Sequence, residues 1–309
     1  MKWSLAAIDT TLVHIGSAKA ASTWLQSYVL RNSGLGFAEL APRRVQKSLL
    51  TIPSATEFDS KAAARMFAPL ADQCQAKGLC PVISIERLSG SSRKGHEDAP
   101  EFAKRVKAVF PAGRIFFVVR EQRSMLRAQY FQYIRRGGTR SIHWFLEQSC
   151  VRAPGAEYFR WDRFKYAELW TQYQTLFGKS NTLLLPVELL QSDPGRFLKE
   201  LCAFSGVRAP SADQIPNASS VRVSQSNLAY AVQRRLNALP VMKVRKKRRF
   251  ANVGIQIDAL APEQWKRRAQ ERIDAIIKDR VQDFYAESNK RLAAMSGVDL
   301  AKFGFDLGR

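Results

Sequence analysis

Residues able to bind a phosphate group are concentrated near the N-terminus, in residues 14–26. The sequence there, HIGSAKAASTWLQ, places Gly16, Lys19, Ser22 and Thr23 between an apolar run and the start of a predicted helix. Backbone N–H groups at a helix N-terminus bind anions, Lys19 supplies a compact positive charge, and the two hydroxyl groups are hydrogen-bond donors. The pattern therefore predicts a phosphate-binding loop. The alternative is a plain strand-to-helix turn that carries an exposed lysine.

The loop differs from the phosphate loop of nucleoside triphosphatases. That loop has the form G-x-x-x-x-G-K-[ST], with the lysine directly before the hydroxyl residue. Here two alanines separate Lys19 from Ser22. The segment is therefore not a nucleoside-triphosphatase phosphate loop.

A second cation stands at the end of a predicted buried strand. Residues 114–119, RIFFVV, lead directly to Arg120. Ligands of parallel sheets bind beyond the carboxyl ends of the strands, where Lys19 is also expected. A guanidinium group binds phosphate in a bidentate manner, so we predict that Arg120 clamps a nucleotide phosphate. An ion pair with Glu121 or Glu86 is the alternative.

An acid suited to accept a proton lies between these two segments. Glu86 directly follows an apolar run, and a carboxyl group in that position is unusual enough to be informative. We predict that Glu86 is a general base and that His96, next to a polar segment, is the runner-up. Glu86 could instead be a structural partner of Arg87, Arg120 or Arg123.

Buried strands and amphipathic helices are predicted to alternate along the chain. Apolar and β-branched runs indicate strands at residues 11–15, 81–85, 114–119 and 181–186. Helices are predicted from about Ser22 and over residues 61–76, 99–110, 124–136, 162–177, 225–239 and 262–295, with loops over residues 203–220. The alternation predicts an α/β three-layer sandwich, with a central, mostly parallel sheet flanked by helices and a long C-terminal helix. We expect a single domain over residues 1–309, with a helical C-terminal extension over about 225–309.

The charge and the cysteines restrict the partners and the compartment. A formal net charge of +22 favours anionic partners, and residues 243–249 hold six cations. That basic run is either a solvated loop, a contact for nucleotide phosphates or a contact for an acidic glycan or lipid head group. The four cysteines form neither a zinc pattern nor a disulfide framework. With no signal peptide or long apolar stretch, a cytoplasmic protein without a metal is predicted.

The phosphate-binding segment resembles the 5′-phosphosulfate loop of the PAPS-dependent sulfotransferase superfamily, which usually reads H-I-G-x-x-K-T-G-T-T-x-L-Q. Ala20 and Ala21 stand where that family commonly has Thr and Gly. Arg120 is similar to the family's strand-end arginine, which binds the 3′-phosphate, while Ala128 stands where a serine follows eight residues later. Residues 285–305 also resemble the close of many bacterial sulfotransferase domains.

The resemblance implies an enzyme that moves a sulfuryl group from 3′-phosphoadenosine-5′-phosphosulfate (PAPS) to an acceptor hydroxyl or amine, without a metal. We expect the acceptor to be a carbohydrate or glycolipid, with an anionic glycan and an anionic membrane surface as candidate contacts and no specific nucleic acid. The implied catalytic residues are Lys19, Glu86 and His96. The implied donor-binding residues are Gly16, Ser17, Lys19, Ala20, Ala21, Ser22, Thr23, Trp24, Arg120 and Ala128.

Two other functional classes stay open. A nucleotide-binding, kinase-like enzyme is disfavoured by the missing G-K-[ST] and by the lack of an evident strand-end aspartate for Mg²⁺. A basic binding module for anionic polymers or membranes lacks a recognisable recognition motif.

Overall fold

The structure is a computed structural model that describes residues 10–17, 19–90, 97–147, 161–216, 226–239, 256 and 258–308. The predicted runner-up base, His96, and the basic run over residues 243–249 lie outside the described residues. Contacts divide the chain into two compact units. The sheet unit comprises Met1–Glu121, Arg163–Val221 and Ala286–Arg309, and the helical unit comprises Gln122–Asp162 and Arg222–Tyr285.

The sheet unit contains a five-stranded sheet in which every pairing is parallel. Its strands are β1 (Leu12–His14), β2 (Phe37–Glu39), β3 (Cys80–Ser84), β4 (Arg114–Val119) and β5 (Thr182–Pro186). The strand order is β2-β3-β1-β4-β5. Because β1 is central, the segments that follow β3 and β4 flank the loop that follows β1.

The α-helices of the described residues connect and cover these strands. In chain order they are α1 (Ser22–Trp24, continued by a π-helix over Leu25–Val29), α2 (Arg43–Leu50), α3 (Ser60–Ala76), α4 (Ala99–Val109), α5 (Gln122–Arg135), α6 (Ile142–Glu147), α7 (Tyr166–Phe177), α8 (Val187–Ser192), α9 (Pro194–Ser205), α10 (Asn227–Asn237), α11 (Glu263–Val281) and α12 (Ala286–Ser296).

Alternate side chains of β4 pack against helices on opposite faces of the sheet. Phe116 contacts Phe197 of α9 edge to face, with ring centroids 6.2 Å apart. Phe117 points the other way, stacks on Trp170 of α7 and meets the edge of Tyr166. Strands buried on both faces read as continuous apolar runs, which is why RIFFVV was recognisable. The predicted α/β three-layer arrangement is confirmed.

The helical unit is formed by α5, α6, α10 and α11. Phe131 of α5 stacks on Tyr230 of α10, with ring centroids 4.0 Å apart. The Asn237 amide closes the end of α5 by donating to the carbonyl groups of Ile134 (2.8 Å) and Gly138 (3.0 Å). This unit is therefore held by aromatic stacking and by capping of backbone carbonyls at the end of α5.

Some element predictions were wrong. The single helix predicted over residues 262–295 is two helices, α11 and α12, because the backbone of Gln282 has φ 44° and leaves the helical region. The loop predicted from residue 203 begins later, since α9 continues to Ser205 and ends at the left-handed Gly206. Strand β2 and helices α2, α6, α8 and α9 were not predicted.

No helix among the described residues is both long and apolar enough to span a membrane. The three cysteines that the described ranges contain, Cys74, Cys80 and Cys202, are free thiols.

Candidate active site

The loop after β1 has an unusual backbone. Lys19 and Ala21 both lie in the left-handed region, with φ 69° and φ 56°. Ala21 is also the N-cap of α1 and provides no side-chain cap, so the helix begins at Ser22, as predicted. Left-handed residues in a loop turn N–H groups toward one side and form an anion-binding concavity. The loop has left-handed residues of the kind found in such concavities, and its binding of a phosphate stays a prediction.

Gly16 is required where the loop crosses over His14. A Cβ atom at Gly16 would lie 2.9 Å from His14 Cε1 and 3.2 Å from Ser22 Oγ. The Ser22 hydroxyl donates to the carbonyl of Ser17, at 3.0 Å. This buried hydroxyl thus closes the loop internally, whereas the hydroxyl residue beside it, Thr23, is exposed.

The other residues predicted in the loop divide into a buried group and a half-buried group. Ala20 and Trp24 belong to the hydrophobic core beneath the sheet edge. Lys19 and Ala21 are half-buried. Thr23 is the exposed hydroxyl residue of the loop, and Lys19 is partly accessible to solvent.

A buried polar network lies beneath the loop. His14 Nδ1 is 2.8 Å from Ser84 Oγ on the adjacent strand β3, and the Gln26 amide donates to the same hydroxyl at 3.0 Å. The backbone N–H of Ser84 donates in turn to Gln46 Oε1 of α2, at 2.9 Å. Burial lowers the pKa of His14 to about 3, so this histidine is neutral at physiological pH. His14 therefore adds no charge to the network, and the cation of the network is Arg43, whose guanidinium donates to the Gln26 amide oxygen.

Arg120 lies against the loop that follows β1. Its guanidinium Nη1 donates to the carbonyl of Lys19, at 3.1 Å. Its own carbonyl accepts a hydrogen bond from the hydroxyl of Tyr166 on α7, at 2.9 Å. The structure thus brings together the two cations that the sequence predicted from separate strands.

Glu86 occupies the opposite side of the loop from Arg120. It directly follows Ile85 after β3, is half-buried, and begins a 3₁₀-helix over Glu86–Ser89. Strand β3 pairs with β1 in the register His14↔Ser84, so both strands end at the same edge. Within the described ranges Glu86 forms no ion pair, while Arg87 lies over the ring of Phe102.

Glu188 is a site residue that the sequence analysis missed. It lies on the first turn of α8, directly beyond β5, and its Oε1 accepts the backbone N–H of Glu121 at 3.0 Å. Burial raises the pKa of its carboxyl to about 7, although the nearby positive charge of Arg120 opposes that rise. An acid just beyond a buried apolar strand was the signal that selected Glu86, and it applied equally to Glu188.

Ala128 lies half-buried on α5, in the helical unit. No cluster of His, Cys, Asp or Glu side chains suited to a metal occurs in the part of the chain that the structure describes.

No protein-family model and no curated protein matches this sequence. By structure, the chain is similar to a sulfotransferase from Alicyclobacillus acidocaldarius, with a TM-score of 0.55 and 15% identity over 95% of this chain and 98% of that one. Weaker similarity is found to mouse sulfotransferase SULT7A1 complexed with PAP, with a TM-score of 0.40 and 14% identity over 88% and 94% of the two chains. A sulfotransferase domain from the curacin biosynthetic pathway has a TM-score of 0.41 and 15% identity over 67% and 77%.

The similarity to the Alicyclobacillus acidocaldarius structure defines the fold class, that of a sulfotransferase fold. The chain has the fold of the sulfotransferase superfamily over nearly its whole length, as the sequence resemblance implied.

Proposed function

We propose that the protein is a sulfotransferase that uses PAPS as its sulfuryl donor. The observation that carries this proposal is the position of the segment HIGSAKAASTWLQ. It forms the loop and helix start after the central strand of a sulfotransferase fold, and Arg120 is hydrogen-bonded to it. A phosphate-type loop beside a second phosphate-binding cation suits a donor with phosphate groups at two positions.

In this proposal the loop and Arg120 bind different ends of the donor. Backbone N–H groups of the loop and the exposed Thr23 hydroxyl hold the 5′-phosphosulfate. Lys19 neutralises the negative charge that develops as the bond between sulfur and the phosphate oxygen breaks. Arg120 binds the 3′-phosphate. Preorganised positive charge of this kind is the largest contribution that such a site makes to group transfer.

Glu86 is proposed as the group that accepts the acceptor's proton. The acceptor oxygen or nitrogen attacks sulfur in line with the leaving phosphate, a new bond to sulfur forms, and 3′-phosphoadenosine 5′-phosphate (PAP) leaves. The proton of the attacking group passes to the Glu86 carboxylate. We further propose a carbohydrate or glycolipid acceptor, because a net charge of +22 favours anionic substrates and surfaces.

Nucleotide binding tests the proposal directly. PAP at micromolar concentration should raise the melting temperature, since a ligand that binds only the folded state stabilises it. ATP with Mg²⁺ and a generic oligonucleotide serve as comparisons. A response to ATP with Mg²⁺ alone would favour the kinase-like alternative, and a response to the oligonucleotide alone would favour the basic binding module.

Arg114, the first residue of β4, and Arg120, which directly follows the strand, provide a matched pair for the same assay. Arg120→Lys keeps the charge but loses the planar fork, so PAP affinity should fall by about tenfold or more. Arg114→Lys makes the same change at the opposite end of the strand and should leave the affinity within about twofold of the wild type. Equal losses in both variants would argue against Arg120 as a phosphate ligand.

A further inference from the structure

Only one of the two oxygen atoms of the Glu188 carboxyl group accepts a hydrogen bond from the described residues. Oε1 accepts the Glu121 N–H, while Oε2 is buried and has no hydrogen-bond partner among the described residues. A buried carboxylate oxygen without a donor is costly, and it is less costly when protonated. The geometry therefore favours a carboxyl group that carries a proton on Oε2.

The turn that Glu188 holds is the one that carries Arg120. The Tyr166 hydroxyl donates to the carbonyl of Arg120, the Arg120 side chain reaches the Lys19 carbonyl, and Glu188 accepts the next N–H along the chain. Helices α7 and α8 and the phosphate-binding loop thus fix the turn from three directions. Any change in charge at Glu188 acts where the proposed phosphate ligand is attached.

The charged groups near this carboxyl have opposite effects. Burial favours its protonated form, and the negative charge of Glu121 adds to that effect. The hydrogen bond from the Glu121 N–H and the positive charge of Arg120 favour its ionised form. Burial raises the pKa of the neighbouring Tyr166 phenol, and the negative charge of Glu188 raises it further, whereas Arg163 has the opposite effect. The balance leaves the carboxyl with a pKa of about 7, so both forms exist at neutral pH.

We propose that Glu188 is a positioning residue of the nucleotide site: it holds the Arg120–Glu121 turn and takes up a proton from solvent when a phosphate binds at Arg120. A phosphate anion adds negative charge near Glu188 and engages the cation that favours its ionised form. Both effects favour the protonated carboxyl. By linkage, the affinity for PAP then falls as pH rises through the pKa of the free protein. This inference rests on the proposed function, because it requires a phosphate at Arg120.

Calorimetric titration with PAP at pH 6, 7 and 8 tests the inference. With a pKa of about 7, only about a tenth of the Glu188 carboxyl groups are protonated at pH 8. If binding requires the protonated carboxyl, the affinity for PAP at pH 8 should therefore be about tenfold lower than that of the fully protonated protein. Glu188→Gln keeps an oxygen for the Glu121 N–H and cannot ionise, so its affinity should change little from pH 7 to pH 8. Variant and wild type should therefore agree at pH 6, and the variant should bind more tightly at pH 8.

The number of protons taken up when PAP binds is a second, independent test of the inference. Titrations in two buffers with different ionisation enthalpies report the protons taken up on binding. Near pH 8 the wild type should take up close to one proton more than Glu188→Gln. The second ionisation of the phosphate groups of PAP, near pH 6, contributes equally to both proteins and cancels in this comparison.

Glu200→Gln, a change of the same type on α9, is the matched control and should follow the wild type at every pH. Equal pH profiles and equal proton uptake for wild type and Glu188→Gln would overturn the role of Glu188 while leaving the proposed function intact. Failure of both proteins to bind PAP at any pH would refute the proposed function itself.

Stability without nucleotide offers a final check. Unfolded Glu188 ionises near its ordinary value of 4.5, whereas the folded group resists ionisation until about pH 7. The wild type should therefore lose stability as pH rises from 4.5 to 7, and Glu188→Gln should not incur that loss. The melting temperature of the variant relative to wild type should rise across that window, and a constant difference would contradict the inferred burial of the carboxyl.

Discussion

Replacing Ala21 by glycine should stabilise the protein, although most substitutions destabilise. Ala21 has φ 56° and ψ 14°. The left-handed region costs an L-residue about 1–2 kcal/mol, which glycine avoids. Against this gain, glycine adds about 0.4–1 kcal/mol of unfolded-chain entropy, and loss of the partly buried methyl group costs about 0.4 kcal/mol, half that of a fully buried one. The net expectation is a free energy of unfolding raised by about 0.5 kcal/mol.

The adjacent alanine provides a control of opposite sign. Ala20 is fully buried in the core and its φ is not positive. Ala20→Gly loses a buried methyl group, worth about 0.8 kcal/mol, and adds about 0.4–1 kcal/mol of chain entropy without relieving any strain. It should therefore destabilise by about 1.5 kcal/mol. The free energies of unfolding of the Ala21→Gly and Ala20→Gly variants should then differ by about 2 kcal/mol.

Urea unfolding measured under identical conditions distinguishes the two variants. Tryptophan fluorescence gives the midpoint and the slope, and an unchanged slope shows that a midpoint shift reflects stability. If Ala21→Gly lowered the free energy of unfolding as far as Ala20→Gly does, the left-handed conformation of Ala21 would be refuted, and with it the shape of the proposed anion-binding loop.

Two further substitutions test the site. Glu86→Gln should lower the rate of sulfuryl transfer by about 10²–10⁴ in a single-turnover assay while PAP affinity stays within about twofold, because a general base acts on the acceptor and not on the nucleotide; full activity would remove Glu86 from the mechanism. Gly16→Ala should lower PAP affinity by about tenfold or more in calorimetry, because the new Cβ atom would meet His14 Cε1 at 2.9 Å and displace the loop; unchanged affinity would show that the loop accommodates a side chain there.

Apolar runs were enough to locate most of the sheet from the sequence. The four predicted strands match β1, β3, β4 and β5 to within one residue at either end. Strands covered on both faces exclude polar residues, and this leaves a clear signal. Strand β2 has only three residues, two of them partly exposed, so its sequence carries no such signal.

Proximity between residues was predictable where position along a strand decides it. The structure brings Lys19 and Arg120 together because both follow buried strands of a parallel sheet, while their roles stay a prediction. The conformation of Ala21 was not predictable, since a left-handed alanine contradicts local preference and depends on the loop around it. The role of Ser22 was equally hidden, because only the folded loop shows that its hydroxyl reaches the Ser17 carbonyl.

The polar network beneath the loop separates two kinds of position in the site. His14, Ser84 and Gln26 are buried beneath the loop, while Lys19 is half-buried and Thr23 is exposed. Substitutions in the buried network should mainly reduce folding yield, whereas substitutions at Lys19 and Thr23 should mainly alter catalysis. Directed evolution toward another donor or acceptor should therefore vary the accessible residues of the loop and leave the buried network unchanged.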